Sequence, residues 1–358
     1  MTRILLIRLS SLGDIIMTTP VIRALRNRYP DAQIDFVVYD RFAAALAHHP
    51  DLNRLFILPK KKLKEHLAQI SFGAFWHTLH DFITDLRTTR YDYIIDLHNV
   101  TESALTAITA HGQVKVGHIK QLLSLFFKVR SKFDIGFESA TMHAVESNLR
   151  YLVDAGCLTL SDLPEKPRLE FFTPVATRQE VDEYLTQQDL VGKLIMGVNP
   201  CASYHYKRWN GERFAAVADF LAEKYGAKIL LFGSPNEQPT LLEVMAVMKN
   251  RAVDTSHLSA FQAFELIGRL RLFVTNDSAP MHIAAALGTP LVAIHGPINV
   301  KKFAPVSDVA RSITKELPCL PCKKVSECSS QICFDQVTVE EVCLACRDLL
   351  TSPSATEI

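Results

Sequence analysis

The sequence predicts an α/β chain built from two doubly wound halves. Three observations lead there. Short aliphatic runs alternate with polar turns and amphipathic segments over the first 155 residues, the sign of strands and helices in turn. The alternation lapses from Cys157 to Pro174, where Gly156, Pro164, Pro167 and Pro174 punctuate a stretch of little periodicity, and then restarts. The length, 358 residues, exceeds what one ordinary hydrophobic core holds. The domains expected are 1–160 and 175–335, with a helix and tail over 336–358.

In the first half, Arg3 to Leu9 reads as a buried strand and Ser10-Ser11-Leu12-Gly13-Asp14 as a tight turn. Helical spacing then runs from Ile15 to Arg28, with a kink or restart expected at Pro20. Gln33 to Tyr39 completes a βαβ unit. Its turn has neither the G-x-G-x-x-G of dinucleotide sites nor the Gly-Lys-Ser/Thr ending of a P-loop. Phe42 to His48 is expected as a short helix, Arg54 to Leu58 as a strand, and the lysine run Lys60–Lys64 as a solvated turn. A helix from Gly73 to Arg87, a central strand from Tyr91 to His98, a helix from Glu102 to Thr109 and a strand from Val114 to Val116 follow. Leu122 to Arg130 mixes aromatic and basic residues, which suits either an interfacial segment or a flap packed on the domain. His143 to Ala155 closes the half as a helix.

The second half repeats the plan. Helices are expected at Arg178–Gln188, Gly211–Tyr225, Gln238–Asn250 and Phe261–Leu270, and strands at Leu194–Asn199 and Ala227–Phe232. Its organising stretch lies between two buried runs, Arg271 to Val274 and Leu291 to Ile294. Asn276, Asp277 and Ser278 are residue types that cap helices, Pro280 suits a first turn, and Gly288 suits a C-terminal cap. In a parallel sheet such a turn falls at the carboxyl ends of the strands, where open α/β folds bind ligands, and its free N–H groups attract an anion. Capping alone is the competing role for Asp277 and Ser278. Thr338 to Leu350 forms a last helix packed back on the body.

Composition limits function. The chain is 48% hydrophobic and 22% charged with a net charge of +1, so bulk electrostatics give no case for nucleic-acid binding. Arg8 and Asp14 interrupt the apolar N-terminus, which is therefore not expected to be a signal peptide. The longest stretch without Lys, Arg, Asp or Glu, Ser278 to Val300, is broken by three prolines and two glycines and is no membrane span. A cytoplasmic enzyme is expected. Cys319, Cys322, Cys328 and Cys333 crowd into fifteen positions. Their irregular spacing favours a structural loop over a zinc site. Cys343 and Cys346 share one helical face.

Four turns occur in a fixed order: Ser10-Ser11-Leu12-Gly13-Asp14; Asn199-Pro200-Cys201-Ala202-Ser203 with Lys207-Arg208-Trp209; Phe232-Gly233-Ser234-Pro235-Asn236-Glu237; and Asn276-Asp277-Ser278-Ala279-Pro280-Met281-His282. Together they resemble glycosyltransferase family nine, the heptosyltransferases of lipopolysaccharide core assembly, over about Arg3 to Leu350. The resemblance implies a GT-B fold, two Rossmann-like domains facing across a cleft, and an inverting transfer of a sugar from a nucleotide-sugar, ADP-heptose in well-known members, to an acceptor hydroxyl. It implies no cofactor and no catalytic metal, in keeping with the lack of a D-x-D triplet. The partners implied are a nucleotide-sugar donor and a lipid-linked or lipopolysaccharide-core acceptor, with peripheral contact at the cytoplasmic face of the inner membrane. Asp14 is the candidate base and Lys207 the candidate cation for the departing diphosphate. Ser203, Glu237, Asp277, Ser278, Ala279, Met281 and His282 are expected on the donor side, with Glu237 at the ribose, and Ser10, Ser11 and Gly13 on the acceptor or a phosphate. A sugar-nucleotide epimerase or hydrolase, and a non-enzymatic nucleotide-sugar binder, are the alternatives.

Overall fold

The computed structural model describes residues 1–118, 123–131, 142–322, 328 and 331–351. The chain divides into two compact units, Met1–Arg168 and Leu169–Ile358.

Unit 1 holds six parallel strands: β1 (Arg3–Ile7), β2 (Gln33–Tyr39), β3 (Arg54–Leu58), β4 (Tyr91–Asp96), β5 (Gly112–His118) and β6 (Val129–Ser131), in the spatial order β3-β2-β1-β4-β5-β6. Its helices are α1 (Leu12–Ile16), α2 (Thr19–Arg28), α3 (Lys60–Ala68), α4 (Phe72–Leu86), α5 (Thr101–Thr109) and α6 (Ala144–Asp154). Unit 2 repeats the scheme. Its strands are β7 (Ile195–Asn199), β8 (Lys228–Leu231), β9 (Ala252–Asp254), β10 (Phe273–Asn276), β11 (Leu291–Ile294) and β12 (Ala310–Ile313), in the order β12-β11-β10-β7-β8-β9. Its helices are α7 (Val175–Gln187), α8 (Gly211–Tyr225), α9 (Gln238–Val247), α10 (Ala260–Ile267), α11 (Ala279–Leu287), α12 (Val300–Phe303), α13 (Ile332–Asp335) and α14 (Val339–Thr351).

Each sheet thus has the doubly wound order in which the third, second and first strands lie to one side and the fourth, fifth and sixth to the other. The crevice at the reversal, beyond the carboxyl ends of the first and fourth strands, is where such folds take ligands. In unit 1 the reversal falls between β1 and β4, and in unit 2 between β7 and β10. The strands on either side are aliphatic because both sheet faces are covered: Ile4, Leu5, Leu6 and Ile7 are all fully buried.

Helix boundaries follow local chemistry. The segment expected from Ile15 to Arg28 is two helices, and Pro20 sits in the first turn of the second, where its missing N–H costs nothing. Asn210 caps α8 by accepting from the N–H of Glu212 and of Arg213, and Gly226 ends it at φ +65°. α14 packs on the body of unit 2, where Val342, Ala345, Cys346 and Leu349 join the core with Phe214 and Leu221.

Several expectations need correction. Lys60–Lys64 is not a turn but the first half of α3. Phe42–His48 is replaced by a 3₁₀ turn over Asp40–Ala45. The strand expected at Arg271–Val274 lies at Phe273–Asn276, so Asn276 ends the strand instead of opening the turn. β6, β9 and β12 were not expected at all. Of Leu122–Arg130, Leu122 lies outside the described residues; Phe127 is buried under β5, while Leu125 and Phe126 are exposed.

Candidate active site

In unit 1 the candidate residues gather at the carboxyl end of β1. Ser11 is the N-cap of α1 and Asp14 its third residue. One carboxylate oxygen of Asp14 accepts from the Ser11 hydroxyl at 2.7 Å and from the Ser11 N–H at 3.1 Å. The other pairs with Arg8 Nη2 at 3.1 Å. Arg8 is itself fixed: its guanidinium donates to the carbonyl oxygens of Ser10 at 3.0 Å and of Leu97 at 2.5 Å. The Asp14 carboxylate is therefore aimed by two neighbours yet remains 28% exposed. Gly13 is buried inside α1 and is not among the residues of positive φ.

β4 supplies the other wall of this crevice. Asp96, fully buried at the strand's end, accepts from the N–H of His98 at 2.9 Å, the N–H of Asn99 at 3.1 Å and the Ser103 hydroxyl at 2.9 Å. Burial raises its carboxyl to about 6, against the pull of those donors. These bonds hold the turn that carries His98, whose Nε2 lies 3.3 Å from the Ser10 hydroxyl. Burial, with Arg8 nearby, lowers His98 to about 4, so its ring is neutral near pH 7. Lys60 lies 4.1 Å above the Tyr39 ring and donates to the Tyr39 hydroxyl at 3.0 Å.

In unit 2 the residues that follow β7 meet those that follow β10. The Asn199 side-chain N–H₂ donates to the hydroxyls of Thr275 and Ser278, each at 3.1 Å, and its oxygen accepts from the Cys201 N–H at 3.1 Å. Asn276 returns the tie: its oxygen accepts from the Trp209 N–H at 2.9 Å, and its amide donates to the Pro200 carbonyl at 2.8 Å. Between these paired asparagines, Lys207 Nζ donates to Asp277 at 2.6 Å; the lysine side chain is 26% exposed and the aspartate 7%. A shallow ammonium is thus fixed by a deep carboxylate. His295, at the end of β11, feels the charges of both, and burial lowers it to about 4 while its Nε2 meets the Ser312 hydroxyl at 3.0 Å.

α11 begins beside this pair. Ser278 is its N-cap, but its hydroxyl takes the Asn199 bond and makes no cap of its own. Gly288 ends the helix at φ +73°. Met281 is fully buried and its N–H donates to the Ser278 carbonyl at 3.1 Å, so neither its side chain nor its N–H is open to a ligand. His282 is buried in the same helix. Ser203 is exposed in the loop before Lys207. Glu237 closes the turn after β8, accepting from the Ser234 hydroxyl at 2.7 Å and N–H at 2.9 Å. It stands near enough to Cys201 to help burial push that thiol up to about 12.

The structure therefore joins Asp14 to Ser11 and Lys207 to Asp277, and sets Ser278 against Asn199. Asn199 and Asn276 had been read only within their motif turns, Asn276 as a capping type, and Arg8, Asp96, His98 and His295 had been given no site role. The available signal was a charged or amide residue at the end of an otherwise apolar strand.

Two doubly wound units, each with polar residues at its topological reversal, make up the GT-B architecture. The chain belongs to glycosyltransferase family 9 (heptosyltransferase), whose profile it matches over residues 79–332. It is 28% identical over 291 residues to lipopolysaccharide heptosyltransferase 3 of Escherichia coli, covering 79% of this chain and 80% of that one. Among solved structures, the family 9 glycosyl transferase from Veillonella parvula superposes with a TM-score of 0.85 at 23% identity, covering 98% of this chain and 97% of that one. The E. coli ADP-heptose lps heptosyltransferase II does so with a TM-score of 0.76 at 24% identity, covering 98% of each chain. The protein is accordingly a transferase, and family membership sets aside the epimerase, hydrolase and pure binder.

The thiols of Cys319, Cys322, Cys328 and Cys333 do not converge three together to ligand distance among the described residues; Cys333 is buried and Cys319 and Cys328 are exposed.

Proposed function

We propose that the enzyme transfers heptose from ADP-heptose to a hydroxyl of a lipopolysaccharide inner-core acceptor, with inversion at the anomeric carbon. The observation that carries the proposal is the fixed Lys207–Asp277 pair beside the start of α11. An ammonium held in place next to a helix N-terminus is suited to a diphosphate. The named activities of the relatives supply the sugar, the nucleotide and the acceptor class.

The chemistry assigns roles in sequence. Asp14 removes the proton from the acceptor hydroxyl, which is a poor nucleophile until then. The freed oxygen attacks the anomeric carbon as its bond to the diphosphate breaks. Positive charge grows on the sugar and negative charge on the leaving phosphate. Lys207 and the N–H groups of Ser278 and Ala279 stabilise that phosphate without reorganising. Asp277 acts by holding Lys207. Glu237 grips the ribose by releasing or sharing its bond to Ser234, and Ser203 and His282 shape the donor side. Ser10, Ser11 and Gly13 border the acceptor. With Lys207 and α11 meeting the anion, the transfer proceeds without a catalytic metal. Because the acceptor is anchored in lipid, the enzyme works at the cytoplasmic face of the inner membrane.

The test is turnover of ADP-heptose with a purified inner-core acceptor. Asp14→Asn should reduce kcat by about 10²- to 10⁴-fold, the usual worth of a general base, and leave donor affinity intact. An Asp14→Asn enzyme of wild-type rate removes the base, and turnover without acceptor removes the transferase. Full activity in a chelator is expected.

A further inference from the structure

A helical hairpin in unit 1 carries more apolar surface than its own packing uses. α3 buries no residue at all, and α4 buries only Thr78, Phe82 and Leu86. Around the turn that joins them, Leu67, Ile70, Phe72 and Trp76 are exposed by 48%, 75%, 59% and 64%. Phe72 and Trp76 are four apart on α4 and so share a face, and the Phe75 ring meets the Trp76 ring edge-on at 5.5 Å. Four exposed apolar side chains at one turn call for a partner.

The turn is also built against local preference. Ile70 adopts φ +53°, the left-handed region that disfavours β-branched residues and favours glycine or asparagine. The chain places an outward apolar side chain where a small or polar one would be less strained. Beside the turn, α3 begins with Lys60, Lys61, Lys62 and Lys64. Lys60 is held by Tyr39, but Lys61, Lys62 and Lys64 are exposed. The chain as a whole is +1, so this positive charge is local. Lysines flanking exposed Trp, Phe and Leu on a helix are the composition of a segment that lies in a membrane interface. A second copy of the hairpin would bring like charges together.

We propose that the α3–α4 hairpin docks unit 1 on an anionic lipid bilayer. Leu67, Ile70, Phe72 and Trp76 enter the boundary between headgroups and acyl chains, and Lys61, Lys62 and Lys64 meet lipid phosphates. This deepens the function proposed above and rests on its lipid-anchored acceptor. It also moves the membrane contact from Leu122–Arg130, whose described residues lead into β6 at the opposite edge of the sheet from β3.

The two tryptophans make the test direct. Trp209 is buried and Trp76 is exposed, so a change in indole emission on adding vesicles reports Trp76. With phosphatidylglycerol-containing vesicles the emission should shift to the blue and be quenched by lipids brominated along the acyl chain. Pure phosphatidylcholine vesicles should give much less. Phe72→Ser with Trp76→Ser, and separately Lys61→Glu with Lys62→Glu and Lys64→Glu, should each cut co-sedimentation with the anionic vesicles by roughly tenfold or more. Both sets should leave sugar transfer to a detergent-dispersed acceptor unchanged, which also verifies folding. Absent quenching, unchanged co-sedimentation, or an altered oligomeric state as the sole effect of the serine variant overturns the proposal. Loss of the transferase reading would appear separately, as no transfer to dispersed acceptor by the wild-type enzyme.

Discussion

Asp14 is held on both of its oxygens, by Arg8 on one side and Ser11 on the other. A base must reach its proton in a fixed direction, and a misplacement of about 1 Å can cost on the order of 10² in rate. Arg8→Gln removes the charged strut while leaving the carboxylate in place. It should lower kcat by roughly ten- to a hundredfold with little change in the KM for donor, since Arg8 lies in unit 1 and Lys207 in unit 2. A rate equal to wild type would mean that Ser11 alone suffices. His98 and His295 carry a second consequence. Both stand near 4 in the folded chain against 6.5 for a free imidazole, mainly through burial. Between those values the unfolded chain binds protons that the folded one refuses, so acid favours unfolding. Asp96 acts in the opposite sense from about pH 6 downward, because burial raises its folded value and the folded chain gains a proton there. Asp35, also raised by burial, acts in the same sense as Asp96, so the loss of stability is clearest between pH 6.5 and about 6, where of these four groups the two histidines dominate, each worth up to about 1.4 kcal/mol per pH unit. Melting temperature should fall over that range, and His295→Asn should make the fall shallower.

At the scale of elements, α11 depends on how it ends. Gly288 sits at φ +73° with open space where a Cβ would go, so Gly288→Ala tests backbone strain without a clash. The expected loss is about 1 kcal/mol. Gly197, inside β7, is the contrasting case. A Cβ there would stand 2.5 Å from Leu270 and 2.8 Å from Phe273. Gly197→Ala therefore overpacks the sheet and should cost about 1–3 kcal/mol. Urea unfolding measures both, and a smaller loss at Gly197 than at Gly288 would contradict this distinction. The same elements explain what the sequence made legible. β2, β3, α8 and β11 were expected at their observed bounds, because aliphatic runs or strict helical spacing meet clear stops at both ends. β6, β9 and β12 are edge strands of three or four residues with no fully buried aliphatic run. Lysine-rich α3 buries nothing, so its helix left no periodic signal, although lysine is a good helix former. In the site, the turns were legible as turns, and Asp14 as the start of a helix. The Lys207–Asp277 bond was not, since it spans seventy residues and depends on β7 lying beside β10. Nor was the bond by which Glu237, proposed for the ribose, closes its own turn on Ser234.

At the scale of the molecule, duplication of one plan divides the labour. Unit 1 presents a carboxylate at its reversal point and unit 2 an ammonium, so the proposed reaction needs both, while donor binding needs only the second. A ligand bound by the folded state alone raises stability by an amount set by its concentration over Kd, about 2.7 kcal/mol at a hundredfold excess. ADP should therefore raise the melting temperature of the full chain. Lys207→Ala should abolish most of that rise, and Asp14→Asn should keep it. Unit 2 also relies on its last helix. The Val337 carbonyl accepts from Trp209 Nε1 at 3.2 Å and from Arg213 Nη1 at 2.7 Å, and Val337, Val342, Cys346 and Leu349 fill the core beneath α8. Trp209 is tied in turn to Asn276, next to the Lys207–Asp277 pair. A chain ending after Gln336 loses both acceptor and packing, so its ADP-dependent rise should shrink even though every residue proposed to touch the donor is still present. Calorimetry on the truncated and full chains decides it: an undiminished rise in the truncated chain would mean that the donor site is built without α14.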